Sequence, residues 1–474
     1  MIQIIKNIFA AKDLRERVIF TLVMIAIFRL GSFIPCPFIS SSHMQASMSG
    51  GGLTGGVFGV ADMFTGGAFS KLTIMALGIM PYISASIILQ MMMLVIPRLE
   101  KIAKEGESGR RKITELTRRG TVLLAAVQGF GLGLFILSDP EMITASMREH
   151  KALFVMTTMI SVTTGTVFLM WIGERISERG IGNGVSLLIA LGIIASYPTN
   201  LRLAFQAVRL ESMAPIWLLI VGAMCVATTV AIILIQEGAR KIPIQHAKQM
   251  VGRKMTNAQT NYLPLKINTA GVMPVIFSSA ILMLPSYLFG WIGANPGQGM
   301  GFFGELFSMQ SRYNLYDAFG LSKGAIFLVL KAANLYTFTF VMLTAFFCFF
   351  YTAIVFNPQD VADNLRRVGA FVPGYRPGKP TAEYIDRVMS RITLVGAVFL
   401  CSVAIIPEVM FVSFNIPYAV AQFAGGTGLI IVVAVILDTM KQVESRLLMR
   451  HYEGFKSRRQ VSGGGRRWAR EKQG

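Results

Sequence analysis

Ten long apolar stretches separated by polar ones set the pattern of this chain. They cover about 18–36, 72–96, 120–138, 152–172, 184–197, 214–236, 270–292, 326–355, 392–412 and 417–437. None shows the strict alternation of a lipid-facing strand, so a closed barrel is excluded. About 20 apolar residues cross a bilayer as a helix, and the runs predict an all-α integral membrane protein with ten transmembrane helices. The fifth run is short; the eighth is long enough to tilt or to project beyond the bilayer. Composition agrees, with 53% hydrophobic and 15% charged residues among 474.

The polar segments divide the chain into a cytosolic amphipathic N-terminus (1–17), a first half (18–200), a second half (201–440) and a basic tail (441–474). No signal-peptide cleavage pattern follows the first run. The longest islands are 237–269 and 356–391. In the second, three prolines and two glycines surround Arg376, which predicts a stiff hairpin with Arg376 at its tip. Thr381 is expected to cap a short helix leading back to the membrane. Residues 50–67 are glycine-rich and too broken to cross; a re-entrant segment and an ordinary outer loop both fit. The tail beyond Lys456 reads as disordered.

One echo joins the halves. Gly78-Ile-Met-Pro-Tyr-Ile-Ser-Ala-Ser86 in the second run matches Gly271-Val-Met-Pro-Val-Ile-Phe-Ser-Ser279 in the seventh. These are the second helices of two five-helix halves, and an odd number inverts the second half relative to the first. Both carry a proline expected to bend a span.

Charge orients the prediction. Net charge is +20, and 36 of the 45 lysines and arginines fall on one side of a ten-span topology. The positive-inside rule puts both termini and the large basic loops in the cytosol, where anionic lipids also attract them. Arg29 and Lys331 lie near span ends and are expected to snorkel outward. Cys36, Cys225, Cys348 and Cys401 sit in or at the ends of separate runs and read as packing residues. No catalytic centre, metal set, cofactor site or P-loop string is found. Nor does any Asp, Glu or His mark a run's midplane, which weakens the case for an ion-coupled carrier.

Longer strings carry a resemblance: FRLGSFIPCP (28–37), ALGIMPYISASIILQ (76–90), KEGESGRRKI (104–113), GTVFLMWIGERISERGIGNGVSLLI (165–189), LPLKIN (263–268) and FCFFYTAIVFNPQDVADNLRRVGAFVPG (347–374). By these the chain resembles the SecY/Sec61-alpha family of protein-conducting channels over nearly its whole length. The resemblance implies a central hourglass pore with an apolar ring at Ile79, Ile83, Val185, Ile189, Ile276 and Ile431; Val185 is smaller than the family's usual isoleucine. It implies a plug at about 57–70 that includes Val60, Ala61, Asp62, Met63, Phe64, Gly66 and Gly67. Ser84, Ser86, Gln128, Ser278 and Ser279 would line a lateral gate, although local bonding of these serines to their own helices fits equally. Arg240, Lys241, Arg253, Lys254 and Arg376 would dock the ribosome or the SecA motor. Further implied partners are SecE, SecG and signal-sequence-bearing preproteins, in a bacterial inner membrane, with no enzymatic activity. Without the resemblance, an inverted-repeat carrier and a membrane scaffold stay open as alternatives.

Overall fold

The computed structural model describes residues 12–39, 62–137, 142–144, 147–210, 213–246, 250–251, 254–255, 260–292, 335–414 and 416–471. Val60, Ala61 and Arg253, the segment 1–11, most of the glycine-rich stretch 50–67, and Lys331 lie outside them. The first half contains α1 (Lys12–Gly31), α2 (Met80–Val95), α3 (Pro97–Lys104), α4 (Glu107–Leu137), α5 (Lys151–Arg179) and α6 (Gly184–Arg209). The second contains α7 (Pro215–Glu237), strands β1 (Ala239–His246), β2 (Met250–Val251), β3 (Lys254–Met255) and β4 (Thr260–Lys266), then α8 (Met273–Ile292), α9 (Leu335–Val355), α10 (Pro358–Arg367), β5 (Ala370–Phe371), α11 (Lys379–Phe414), α12 (Tyr418–Ala421) and α13 (Gly426–Glu471). A helix falls on each of the ten apolar runs. Among the described residues seven helices are long and apolar enough to cross a membrane, or eight if α2 and α3, bent by 103° at Ile96, count as one span.

The surface of the bundle is that of a membrane protein. On α4, Leu123, Val127, Phe130 and Leu134 form a stripe at helical spacing, and each is 45% exposed or more. The opposite face buries Thr121, Ala125, Gln128, Leu132 and Ile136 among neighbouring helices. An outward face made entirely of large apolar groups, with Thr121 and Gln128 on the buried face, inverts the pattern of a water-soluble helix. Gly129 and Gly133 bring α4 against α5, where a Cβ at either would stand 3.3 Å from the backbone Cα of Met159 or Val155. Such close approach gains dispersion energy that lipid chains cannot match.

Several expectations need correction. The fifth run is no short span: α6 extends for 26 residues and contains Pro198. Residues 441–471 continue α13 and are helical. Extending an existing helix avoids the nucleation cost that an isolated basic tail would face. Neither echoed proline bends a span. Pro81 and Pro274 stand in the first turns of α2 and α8, where a missing N–H leaves no intrahelical bond unmade. The polar islands also add strands to the all-α bundle. β1 pairs antiparallel with β4 from Ala239↔Lys266 to Gln245↔Thr260, and with β5 at Gln245↔Phe371 and His246↔Ala370. Ile242, Leu265, Val372, Ile385 and Met389 pack beneath this sheet. The two basic islands, separate in sequence, are therefore one body.

Candidate functional site

The echoed segments make equivalent turns at the centre of the bundle. Gly78 and Gly271 both adopt the left-handed backbone, with φ of +58° and +65°. A side chain is strained there, which explains a glycine at each. The carbonyl of Ile79 then accepts from the N–H groups of Tyr82 and Ile83, at 3.1 and 3.2 Å. Val272 accepts from Val275 and Ile276 in the same way, both at 3.2 Å. Ile83 and Ile276 thus occupy equivalent positions in the first turns of α2 and α8. Ahead of each helix, 72–79 and 267–272 form irregular, largely buried backbone.

Asn183 starts α6 by accepting from Val185 N and Ser186 N, and Ser177 Oγ accepts from Gly184 N at 2.9 Å. From that start, Val185 and Ile189 share one face of α6. Ile79, Ile83, Ile189, Ile276 and Ile431 belong to one buried apolar cluster, with half-buried Val185 packed against it. A Cβ placed on Gly173 would stand 3.4 Å from Val185 Cγ2 and 3.5 Å from Ile79 Cδ1, so these two side chains meet over one glycine of α5. On the sheet side, a cavity of about 360 Å³ is lined by Ile83, Val185, Ile189 and Ile276 as well as by Gln90 and Glu174. Arg118 spans its wall, donating through Nε and Nη2 to both carboxylate oxygens of Glu174 at 2.8 and 2.6 Å.

A seam borders this cavity. α8 packs against α2 and α4 on one side and α9 on the other, with Phe277 meeting the edges of Phe347 and Tyr351 at 5.8 and 6.0 Å. Ser84, Gln128, Ser278 and Ser279 are buried along it, and Gln90 Nε2 donates to Ser86 Oγ at 3.2 Å. The local reading holds for two of the serines. Ser278 donates to Pro274 O at 2.7 Å and Ser279 to Ile276 O at 2.9 Å, both within α8. Gln128 Oε1 is buried without a hydrogen-bond partner.

On the far side of the apolar contact sits segment 62–69. Met63, Phe64, Ala68 and Phe69 are buried, and Asp62 Oδ1 accepts from Ser70 N at 2.7 Å. Met63 reaches between α6 and α13: a Cβ on Gly428 would stand 3.0 Å from its methyl carbon and 3.2 Å from Ile193. A Cβ on Gly192 would overlap the Phe64 carbonyl oxygen, and one on Gly78 would stand 2.8 Å from Thr65. Gly192 and Gly428 are three residues from Ile189 and Ile431, about 4.5 Å along each helix. Gly66 and Gly67 have different needs. Both have positive φ, but only Gly66 is crowded; nothing lies within 4 Å of a Cβ at Gly67.

Arg29 does not simply snorkel. Its Nη1 donates to Gly66 O at 3.3 Å, joining α1 to this segment. Sequence reasoning missed that contact, as well as Gly192 and the buried carboxyl of Glu408, which lines a pocket of about 50 Å³ with Met63 and Gln422. A charge inside an apolar run was the available signal for Arg29 and Glu408; Gly192 offered none.

The segment around Arg376 turns tightly, with Tyr375 N donating to Val372 O at 3.1 Å, but Thr381 does not cap its helix. Thr381 lies inside the first turn of α11 and donates through Oγ1 to Arg376 O at 2.7 Å. Gly374 and Gly378 supply positive φ, and Tyr375 stacks on Tyr384 with ring centroids 4.2 Å apart. The returning helix is not short, since α11 has 36 residues. Arg376, Arg240 and Lys241 are exposed, the last two adjacent on β1 and so on opposite faces of the sheet. Lys254 lies on β3.

Comparison with known proteins matches the family model described as SecY to residues 73–440. The protein translocase subunit SecY of Escherichia coli (strain K12) is 40% identical over 454 residues, covering 96% of each chain. The corresponding subunit of Aquifex aeolicus (strain VF5) is 39% identical, covering 96% of this chain and 99% of its own. Among solved structures, a protein-conducting channel aligns with a TM-score of 0.59 at 16% identity, over 90% of this chain and 91% of that one. Sec61 from a canine ribosome-channel complex aligns at 0.56 and 15%, over 90% and 91%. At such identities these two structures speak to the fold alone. The family match and the curated relatives extend over most of the sequence, and the chain belongs to the SecY family.

Proposed function

We propose that this protein is the channel subunit of a bacterial Sec translocon. It conducts unfolded, signal-bearing polypeptides across the inner membrane and releases apolar segments sideways into lipid. One observation carries the reading: the apolar contact and the seat of segment 62–69 share helices α6 and α13, one turn apart. Ile79, Ile83, Val185, Ile189, Ile276 and Ile431 act as the pore ring. Bulky aliphatic side chains around a narrow path exclude water and ions, yet part for an extended chain. Segment 57–70 is the plug that covers the ring from outside. The seam between α2 with α4 and α8 with α9 is the lateral gate, where a hydrophobic signal helix gains by turning its free face to lipid.

Ten spans in two inverted five-helix halves, with both termini cytosolic, complete the proposal. Its support is the matched turns at Gly78 and Gly271, the two buried irregular approaches, and the one-sided charge. Irregular backbone at membrane depth is tolerated only where protein or a cavity surrounds it. The sheet and the Arg376 hairpin dock SecA or the ribosome, through Arg240, Lys241, Arg253, Lys254 and Arg376. Energy comes from those partners, and SecE and SecG join the complex. Arginine pairs bidentately with carboxylate or phosphate, which suits either partner.

Vesicles holding the purified protein with SecE import a signal-bearing precursor when SecA and ATP are added. Solute uptake driven by an ion gradient, without precursor import, would overturn the proposal. Photo-crosslinking probes at Ile83 and Ile276 label a stalled precursor; absence of label would indicate a scaffold with no path.

A further inference from the structure

We infer that Arg29 is a latch: its guanidinium holds the plug in its seat and sets how readily the resting channel opens. The inference rests on the plug reading above. Arg29 is half-buried in the last turn of α1, and Nη1 donates to the carbonyl of Gly66 across 37 residues of sequence. Two features position it. The guanidinium carbon lies 5.6 Å over the ring of Phe33, which also takes Lys71 Nζ at 4.4 Å. Gly66 is pressed between Arg29 and α6: a Cβ there would stand 3.0 Å from Arg29 Nη1, from Gly192 Cα and from Gly192 O. The carbonyl is therefore offered to Arg29 from a backbone that cannot retreat toward α6.

The chemistry makes this a switch and not only a brace. A half-buried guanidinium is costly to leave without an acceptor, so displacement of Gly66 alone is opposed. An extended polypeptide in the pore presents a backbone carbonyl at every residue. Such a carbonyl can replace that of Gly66, so Arg29 exchanges one acceptor for another as the plug leaves. The latch is strong against spontaneous opening and weak against opening by a translocating chain.

Resting leak and import of a precursor with a defective signal, measured on the full chain assembled with its partners in vesicles, test this. Immunoblotting normalises membrane content. Arg29→Met raises the leak about tenfold, the scale of one charge-assisted hydrogen bond, and admits the defective precursor. Arg29→Lys, which keeps a donor without the planar fork, falls between Met and wild type. On a background lacking residues 62–67, Arg29→Met adds nothing. If that deletion alone leaves the leak unchanged, the plug reading itself fails. Should the deletion leak while Arg29→Met stays as tight as wild type, the latch fails and the plug stands. Additional leak from Arg29→Met on the deletion background would place its effect in bundle packing and overturn the latch.

Discussion

Replacing Gly192 with alanine separates the stability of a helix from the seating of the plug. Gly192 lies within α6, and an added Cβ would overlap the Phe64 carbonyl oxygen while approaching its carbon to 3.1 Å and Gly66 N to 3.4 Å. All three atoms are backbone, so no side-chain rotation relieves the overlap. Segment 62–69 must move by roughly 1 Å, and overpacking of that kind costs about 1–3 kcal/mol. Alanine improves α6 itself, by about 0.5–1 kcal/mol over glycine inside a helix. The substitution should leave the bundle as stable as before and weaken the plug seat by about 2 kcal/mol, roughly a thirtyfold shift toward the displaced state. Resting ion leak in vesicles reads the seat, and thermal unfolding reads the bundle. Gly222→Ala on α7 is the matched control, because nothing stands within 4 Å of a Cβ there. A Gly192→Ala protein that is present, stable and no leakier than the Gly222→Ala protein would refute the reasoning.

Asn at Ile83 or Ile431 should ease opening, because either change removes roughly 2 kcal/mol of apolar closure; import of a defective-signal precursor reads it, and unchanged stringency would count against the ring. Arg376→Glu should lower SecA-driven import tenfold or more, about the effect of reversing a docking charge, while membrane content stays constant; an equal loss of protein would mean misfolding instead. Plug seating should tighten in acid. Burial pushes the Asp62 carboxyl above its ordinary value near 3.8, against the pull of hydrogen bonds from Ser70 and Phe69 and the charge of Lys71. The protonated form therefore favours the seat below that ordinary value, and the gain is lost as pH rises through the higher seated value. Resting leak should rise across that window, and Asp62→Asn should flatten the response.

The apolar runs each located a helix, but not which parts of the run are helical. Residues 72–79, 270–272 and 422–425 fall inside the apolar runs, so hydropathy merged them with α2, α8 and α13. Glycines carried the missing information: Gly78, Gly271 and Gly426 all have positive φ, and each stands at the approach to or start of a helix. The prolines of the echo were visible, but a proline's meaning depends on its distance from the helix start. The proposed ring rests on the long family strings; periodicity alone reads Ile189 and Ile431 as ordinary core. Long-range contacts had no local trace. Nothing near Arg29 points to Gly66, and nothing near Gln245 points to Phe371. Each pairing joins distant segments of one half, Arg29 to Gly66 in the first and Gln245 to Phe371 in the second.

The matched turns at Ile79 and Val272 have an electrostatic consequence. A helix that begins at its N-terminus with unpaired N–H groups carries roughly half a positive charge there. In the proposed inverted arrangement α2 and α8 run in opposite directions, and Ile83 and Ile276 stand in their first turns. The waist of the proposed pore would thus be bracketed by two positive poles, one facing each compartment. A small cation meets a repulsive field from whichever side it approaches, whereas a polypeptide backbone, which is neutral and rich in carbonyl dipoles, does not. In that arrangement two helix starts would supply a charge filter that needs no charged side chain.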